Sequence, residues 1–577
     1  MITDITKSIQ IGAALPRGDG KVQKKANSVI FLLAAFFTAQ MLATRLNAAT
    51  YYVSPQGDDA ASGRSPSESW RSIEKVNASD FEPGDQILFE GGETFEGTLR
   101  FTEEDSGAVE RPVHLGSYRP GEGKRAVIFA AQERGIDLYN VSWFTISDLV
   151  VVGSGPRANR QSGVTFLSSK ASGCGNVSID NLEVSGFGDS GISLGVWDTD
   201  RGYRNVRITR SSMHDNRLAG LFSWGKWGKG LYAHGNVYVG DCVAFNMKGG
   251  SGLILSSVDG GTIERTIAHT NGSEVSGAAG IWAWDSNNIL FQYNESYGNR
   301  TTGVDGDGFD FDGGVTNSLM QYNYSHDNDA AGFLLAQYSF APQPMENITI
   351  RYNISENDCR KNQYGAIHVW KGHEDDIIRD VQIYQNTVYL APRALQNSIA
   401  GKSSRGRDLD ADCEYAPSAI AIISPTTSAS VQNNLFYTTG GGTLVSVVAG
   451  QNEIRFRNNA YWSSTDPFRV EWMGVKYKSM TDWLKAASDQ ERIGSKIIAI
   501  HADPMLEAPG LGGTLGSADL LPSLKAYRLK RGSPLSGRGI NLSASLGIDP
   551  GSRGFYGTPI SQATPPAIGA NVAAESL

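Results

Sequence analysis

A glycine-led apolar strand that keeps returning limits this chain's fold more than any other feature. It reads Gly191-Ile192-Ser193-Leu194, Gly220-Leu221-Phe222-Ser223-Trp224, Gly252-Leu253-Ile254-Leu255, Gly280-Ile281-Trp282-Ala283-Trp284, Gly308-Phe309-Asp310-Phe311-Asp312 and Gly332-Phe333-Leu334-Leu335, with the glycines 29, 32, 28, 28 and 24 residues apart. The next unit, Ala366-Ile367-His368-Val369-Trp370, begins 34 residues on and puts alanine in the glycine's place. Between these strands runs a second element that closes on asparagine, at Asn294, Asn323, Asn353 and Asn386, spaced 29, 30 and 33 apart. Short strands at such a period, split by Gly, Asn, Asp and Ser turns and without helices between them, exclude a doubly wound sheet. No unit can bury its apolar face alone, so the units must stack. About three short strands per turn make a parallel β-helix.

The asparagines have a mechanical use in such a stack. Asn tolerates the left-handed turn conformation, and amides one coil apart can hydrogen-bond along the axis. Asn294, Asn323 and Asn353 also match the Asn-x-Ser/Thr glycosylation pattern, but their regular placement favours an internal ladder.

Composition narrows the function. In 577 residues, 40% are hydrophobic and 19% charged, which excludes wholesale disorder. A mean hydropathy of -0.27 excludes a polytopic membrane protein. A formal charge of -9 argues against nucleic acid as the partner. The four cysteines, Cys174, Cys242, Cys359 and Cys413, lie far apart and form no zinc-ribbon or redox pair.

Residues 1–27 are polar and end in Lys21, Lys24 and Lys25; an apolar run Val29–Ala43 and the small residues Asn47-Ala48-Ala49-Thr50 follow. This pattern predicts a secretory signal over 1–48, because the apolar run is shorter than the ~20 residues of a membrane span. The expectation is a secreted, periplasmic or cell-envelope monomer, with no membrane span after cleavage and one domain over 49–577.

Both ends of that domain differ from the repeat. Ser65-Pro66-Ser67-Glu68, followed by Trp70, Ile73 and Val76, predicts an amphipathic helix capping the open end. Ser479-Met480-Thr481-Asp482 opens a second short helix within a C-terminal region of coils, helix and tail over about 470–577. The stretch 392–417 lacks the coil pattern and reads as a long loop insertion.

The opening Thr50-Tyr51-Tyr52-Val53-Ser54-Pro55-Gln56-Gly57-Asp58, then Trp70-Arg71-Ser72-Ile73 and Pro83-Gly84-Asp85, resembles the start of secreted right-handed parallel β-helix (pectin-lyase-like) proteins. Gly532-Ser533-Pro534, Gly539, Asp549-Pro550-Gly551 and Pro566-Ala567-Ile568-Gly569-Ala570 resemble their end. The resemblance implies an all-β, single-stranded, right-handed solenoid. It also implies one of several activities on polysaccharides: hydrolysis, elimination, epimerisation or binding without cleavage. Function must come from the site.

The strongest site signal is Gly308-Phe309-Asp310-Phe311-Asp312. Side chains alternate along a strand, so if Phe309 and Phe311 are internal, Asp310 and Asp312 look outward with Cα atoms about 6.5–7 Å apart. Paired carboxylates at that scale suit acid/base cleavage of a glycosidic bond, one protonated and one ionised. Asp307 is expected to assist. One coil earlier the same slots hold Trp282 and Trp284, followed by Asp285; two coils later they hold His368 and Trp370, followed by Lys371. Indole faces pack well on sugar C–H faces, so this column reads as a groove for an extracellular or envelope polysaccharide. Hydrolysis needs no cofactor. A second reading makes the protein a lyase: Asp305, Asp307, Asp327 and Asp329, with Asp310 and Asp312, would bind calcium, and Lys371 would be the base. The stretch Gly306-Asp307-Gly308-Phe309 with Asn328-Asp329 resembles the calcium-and-lysine site of one pectate lyase family, but Asp327-Asn328-Asp329-Ala330-Ala331 departs from that family's acidic run. A third reading is a glycan-binding scaffold without catalysis.

Overall fold

The computed structural model describes residues 48–571, apart from 119–123, 393–416, 424–426, 449, 451–452, 465–466 and 562. The expected export signal and all but the edges of the 392–417 loop lie outside the described residues. From Thr50 onward the chain is one compact unit.

Each coil contributes one strand to each of three sheets, and every sheet has 14 strands among the described residues. In one middle coil these are Asn287–Gln292 in the first sheet, Glu295–Tyr297 in the second and Asp307–Phe311 in the third. Neighbouring coils pair in parallel. The third sheet ends in one antiparallel pair, Val470–Trp472 with Val475–Tyr477. At about 4.8 Å per rung, the stack is roughly 60 Å long.

The repeated glycine has a steric cause. A Cβ on Gly308 would lie 2.2 Å from Ser325 Oγ and 3.0 Å from the Gly332 carbonyl of the next coil. The same crowding against the next coil recurs at Gly191, Gly220, Gly252 and Gly280. At this corner the chain turns inward against its neighbour, and no side chain fits. The following residues then alternate: Phe309 and Phe311 are fully buried, and the Phe309 ring stacks on Phe333 at 5.3 Å.

The asparagine ladder is present and buried. Asn294, Asn323, Asn353, Asn386 and Asn434 each donate through Nδ2 to the Oδ1 of the next asparagine at 2.9–3.1 Å, and Asn459, the last, donates to Glu491 Oε1 at 2.7 Å. A parallel ladder runs Asn271, Asn299, Asn328 and Asp358. With their amides inside the stack, Asn294, Asn323 and Asn353 offer no surface for a glycan.

The predicted N-terminal helix is broken in two. Pro66–Glu68 forms a single 3-10 turn, and the helix proper is Ile73–Asn77, whose cap is Ser72 accepting from Lys75 N. Between them Trp70 is extended, bridges to Val53 and stacks on Tyr51 at 4.6 Å. Glu68 bonds Ser62 instead of closing a capping box. Edge pairing of the first strand outweighed helix propensity over Ser69–Ser72. The C-terminal helix forms as expected over Met480–Ala486, capped by Ser479, with Trp483 buried against Phe456 and Trp472. Beyond it, residues 505–571 run back over the second sheet. There the backbone N–H groups of Gly512, Leu515 and Gly516 donate to the buried carboxylates of Glu356 and Glu295.

Candidate active site

Register fixes the outward column of the third sheet. Ser193, Phe222, Ile254, Trp282, Asp310, Leu334 and His368 are successive partners, so Asp310 occupies the slot below Trp282 and two rungs from His368. Asp312 continues the neighbouring column, its N–H bonded to Ala283 O; that column holds Trp284 before it and Ala336 and Trp370 after it. Asp310 and Asp312 therefore look out from the stack, with their phenylalanine neighbours inside. Because Gly308 is turned inward, Asp307 sits beside the same face, its Oδ1 accepting from Ala331 N at 2.7 Å.

Two banks of loops border this face. From one edge comes Tyr364, whose hydroxyl donates to Asp305 Oδ1 at 3.0 Å and whose ring stacks on His368 at 4.6 Å. From the other comes Tyr338, whose hydroxyl bonds the Asp312 carboxylate and whose ring lies against Gly313. Neither tyrosine stands out in the sequence, since each lies in an irregular loop whose path only the folded chain reveals. Together they reduce the expected open groove to a tight recess, in which Asp310 is only 7% exposed.

Burial sets the electrostatics. Desolvation, with Asp312 and Asp307 nearby, holds the Asp310 carboxyl well above its usual range. Desolvation and Asp305 do the same to Asp307. Asp312 is raised by burial to about 7, with Gly313 N–H and Tyr338 O–H holding it down. Asp305 is raised by burial to about 6. Polar atoms without a protein partner cluster here: the indole Nε1 of Trp282 and Trp284, Asp307 Oδ2 and Asp310 Oδ1. Buried polar atoms are normally paired, so this concentration on adjoining rungs stands out from the rest of the stack.

The other predicted residues divide. His368 faces the recess, but burial lowers its pKa to about 3. Its Nδ1 accepts from Gly365 N at 2.9 Å, which leaves the proton on Nε2. At neutral pH it is therefore an uncharged hydrogen-bond donor. Asp285, fully buried at the strand end, is raised to about 7 by desolvation. Trp370 is half-buried and packs on the Leu334 cluster.

Two expectations need correction. Lys371 ends the strand after Trp370, and its ammonium donates to the Glu374 and Asp376 carbonyls of the following loop at 2.6 and 2.8 Å. It is not presented to the acids. Of the calcium set, Asp305 and Asp307 border the recess with Asp310 and Asp312, while the other two are held by different partners. Asp327 pairs with His326, and Asp329 accepts from Thr301 N and pairs with Arg300. Among the described residues no three His, Cys, Asp or Glu side chains converge on a metal position.

Comparison with known proteins agrees on the architecture. Residues 222–388 match a family model described as a right handed beta helix region. This chain is a right-handed parallel β-helix. A lacto-N-biosidase of Bifidobacterium longum subsp. longum is 25% identical over 455 residues, an alignment that takes in 60% of this chain and 28% of that protein. This chain thus matches little more than a quarter of that relative's length. Among solved structures, a lacto-N-biosidase from Eubacterium ramulus is similar over 64% of this chain and 68% of its own, with 22% identity and a TM-score of 0.49. An alginate lyase from Paenibacillus sp. is similar over 52% of this chain and 96% of its own, with 16% identity and a TM-score of 0.39.

Proposed function

We propose that this protein is an exported glycoside hydrolase that cleaves a polysaccharide or oligosaccharide at the Asp310/Asp312 recess. The observation that carries the reading is the pair itself: two outward carboxylates on one strand, both raised by burial, beside unpaired indole N–H groups. The likeness to a lacto-N-biosidase supports a sugar-cleaving activity of this class. Elimination is the weaker reading, because the Lys371 ammonium is engaged by the Glu374 and Asp376 carbonyls, and Asp327 and Asp329 are taken up by His326 and Arg300.

In the proposed reaction Asp310, the more strongly raised carboxyl, gives its proton to the departing glycosidic oxygen as the anomeric C–O bond breaks. Asp312, ionised above about pH 7, is the partner. It either takes a proton from the water that forms the new C–O bond, or forms that bond itself in an intermediate that water then releases. Asp307 lies beside Asp310, and because neighbouring buried carboxyls disfavour each other's ionisation, its presence helps keep Asp310 protonated. Trp282 and Trp284 offer C–H-binding faces and N–H donors, and His368 offers its Nε2–H. No cofactor takes part. The protein is expected to act as a monomer outside the cytoplasm, and no helix among the described residues is long and apolar enough to cross a membrane.

The test is to incubate the purified chain with a panel of plant, microbial and host glycans, following new reducing ends and ultraviolet-absorbing unsaturated products in parallel. Reducing ends alone support hydrolysis. Unsaturated products would move the assignment to elimination, and binding without either product to a scaffold.

A further inference from the structure

Only a few aromatic rings in the described chain are largely exposed, and two of them border the recess. Trp227 is 55% exposed, yet its ring meets Trp284 edge-on at 4.1 Å. Phe340 is 52% exposed and stacks on Tyr338 at 4.2 Å, the same tyrosine that bonds Asp312. They come from separate loops, residues 224–232 and 338–344, both leaving the third sheet at the same edge. Those loops are tied together. Gln343 Nε2 donates to Tyr232 Oη at 2.7 Å and to Gly314 O at 2.8 Å, and Gln337 Nε2 donates to Gln343 O. Gly314 in turn donates to Gln337 Oε1, so the loop that carries Phe340 is locked to the strand end just after Asp312.

We infer that Trp227 and Phe340 form a paired aromatic subsite that holds pyranose rings of the substrate beyond the bond being cleaved. The inference rests on the hydrolase reading and extends it to substrate length. Each ring keeps an open apolar surface to solvent beside the recess. Each is held in place by a residue of the acid recess. Pyranose sugars present flat C–H faces that pack on such rings. Trp284 and Asp312 stand on adjoining rungs about 4.8 Å apart. Trp227 packs on Trp284, one rung before Asp312, and Phe340 packs on Tyr338, one rung after it, so the two rings flank the Asp312 rung as units of one extended glycan would require. The geometry selects a glycan that extends past the recess on the loop side over a single sugar held only by the acids.

The experiment uses the full chain and lacto-series, cello-, xylo-, galacto- and galacturonate oligosaccharides of increasing length. Affinity is read by calorimetry on Asp312→Asn, and KM is read on the active chain. Trp227→Ala and Phe340→Ala should each weaken binding of the longer oligosaccharides about tenfold, with the loss in kcat/KM carried mainly by KM. Trp227→Tyr, which keeps a flat ring, should restore most of it, and thermal melts should match the parent. Cleavage by the parent with affinity and KM unmoved in both alanine variants overturns the subsite alone. Failure of the parent to cleave any of these glycans, or those of the wider panel, overturns the hydrolase reading and the subsite with it.

Discussion

Asp312 shows how a single side chain acquires a role from its surroundings. The sequence places it outward by strand alternation, but its pKa of about 7 is set by burial and by Tyr338, which comes from the next coil. Asp310→Asn and Asp312→Asn should each lower turnover by about 10²–10⁴, the usual scale for losing an acid/base group. Asp312 must be ionised to act, so activity should fall as pH drops through about 7. The Tyr338 hydrogen bond stabilises the ionised form. Tyr338→Phe should therefore raise the Asp312 pKa and move that acidic limb to higher pH, as a pH profile of kcat/KM would read. A limb unmoved by Tyr338→Phe would show that the tyrosine does not hold the base. Lys371 gives the opposite lesson. Its position beside Trp370 is legible, but which side of the strand end it faces, and the carbonyls of Glu374 and Asp376 that hold it, depend on a turn that no periodicity describes.

At the scale of one coil, strand, corner and ladder depend on one another. Gly308→Ala would drive a methyl group into Ser325 and the neighbouring backbone, and the acids that follow would lose their register. Its soluble yield and melting temperature should drop sharply, whereas the serine-for-alanine exchange Ala279→Ser, at a position where Ser251 stands one coil earlier, should be mild. Asn323→Ala would strand the Asn294 N–H, the Asn294 Nδ2 donor and the Phe291 carbonyl inside the stack. Each buried orphan costs about 1–3 kcal/mol, so the denaturation midpoint should fall clearly. The repeat was readable because the same corner and the same ladder impose the same residues in every coil. The broken N-terminal helix was not, because Trp70 is drawn into a bridge with Val53 that local propensity does not register.

Across the whole molecule, buried carboxyls make stability depend on pH in one direction. Asp305 and Asp358 are raised to about 6, and Asp285, Asp312 and Glu491 to about 7, in each case chiefly by burial. A carboxyl that holds its proton more tightly when folded contributes stability that is full below about pH 4 and is lost as pH rises through its folded pKa. The melting temperature should therefore fall between pH 5 and 8, and Asp312→Asn should flatten that fall; a melt that rises over this window would contradict the burial.

The sequence by itself determined the coil: its period, its glycine corners, its asparagine ladder, and the outward direction of Asp310 and Asp312. These follow from contacts repeated between each unit and the next, which a periodic pattern writes directly into the chain. Only the tertiary structure decided how far the acids are shielded, which tyrosines touch them, and where residues 505–571 dock. Those contacts join irregular segments of unrelated sequence, and their partners become neighbours only once the solenoid has brought them together.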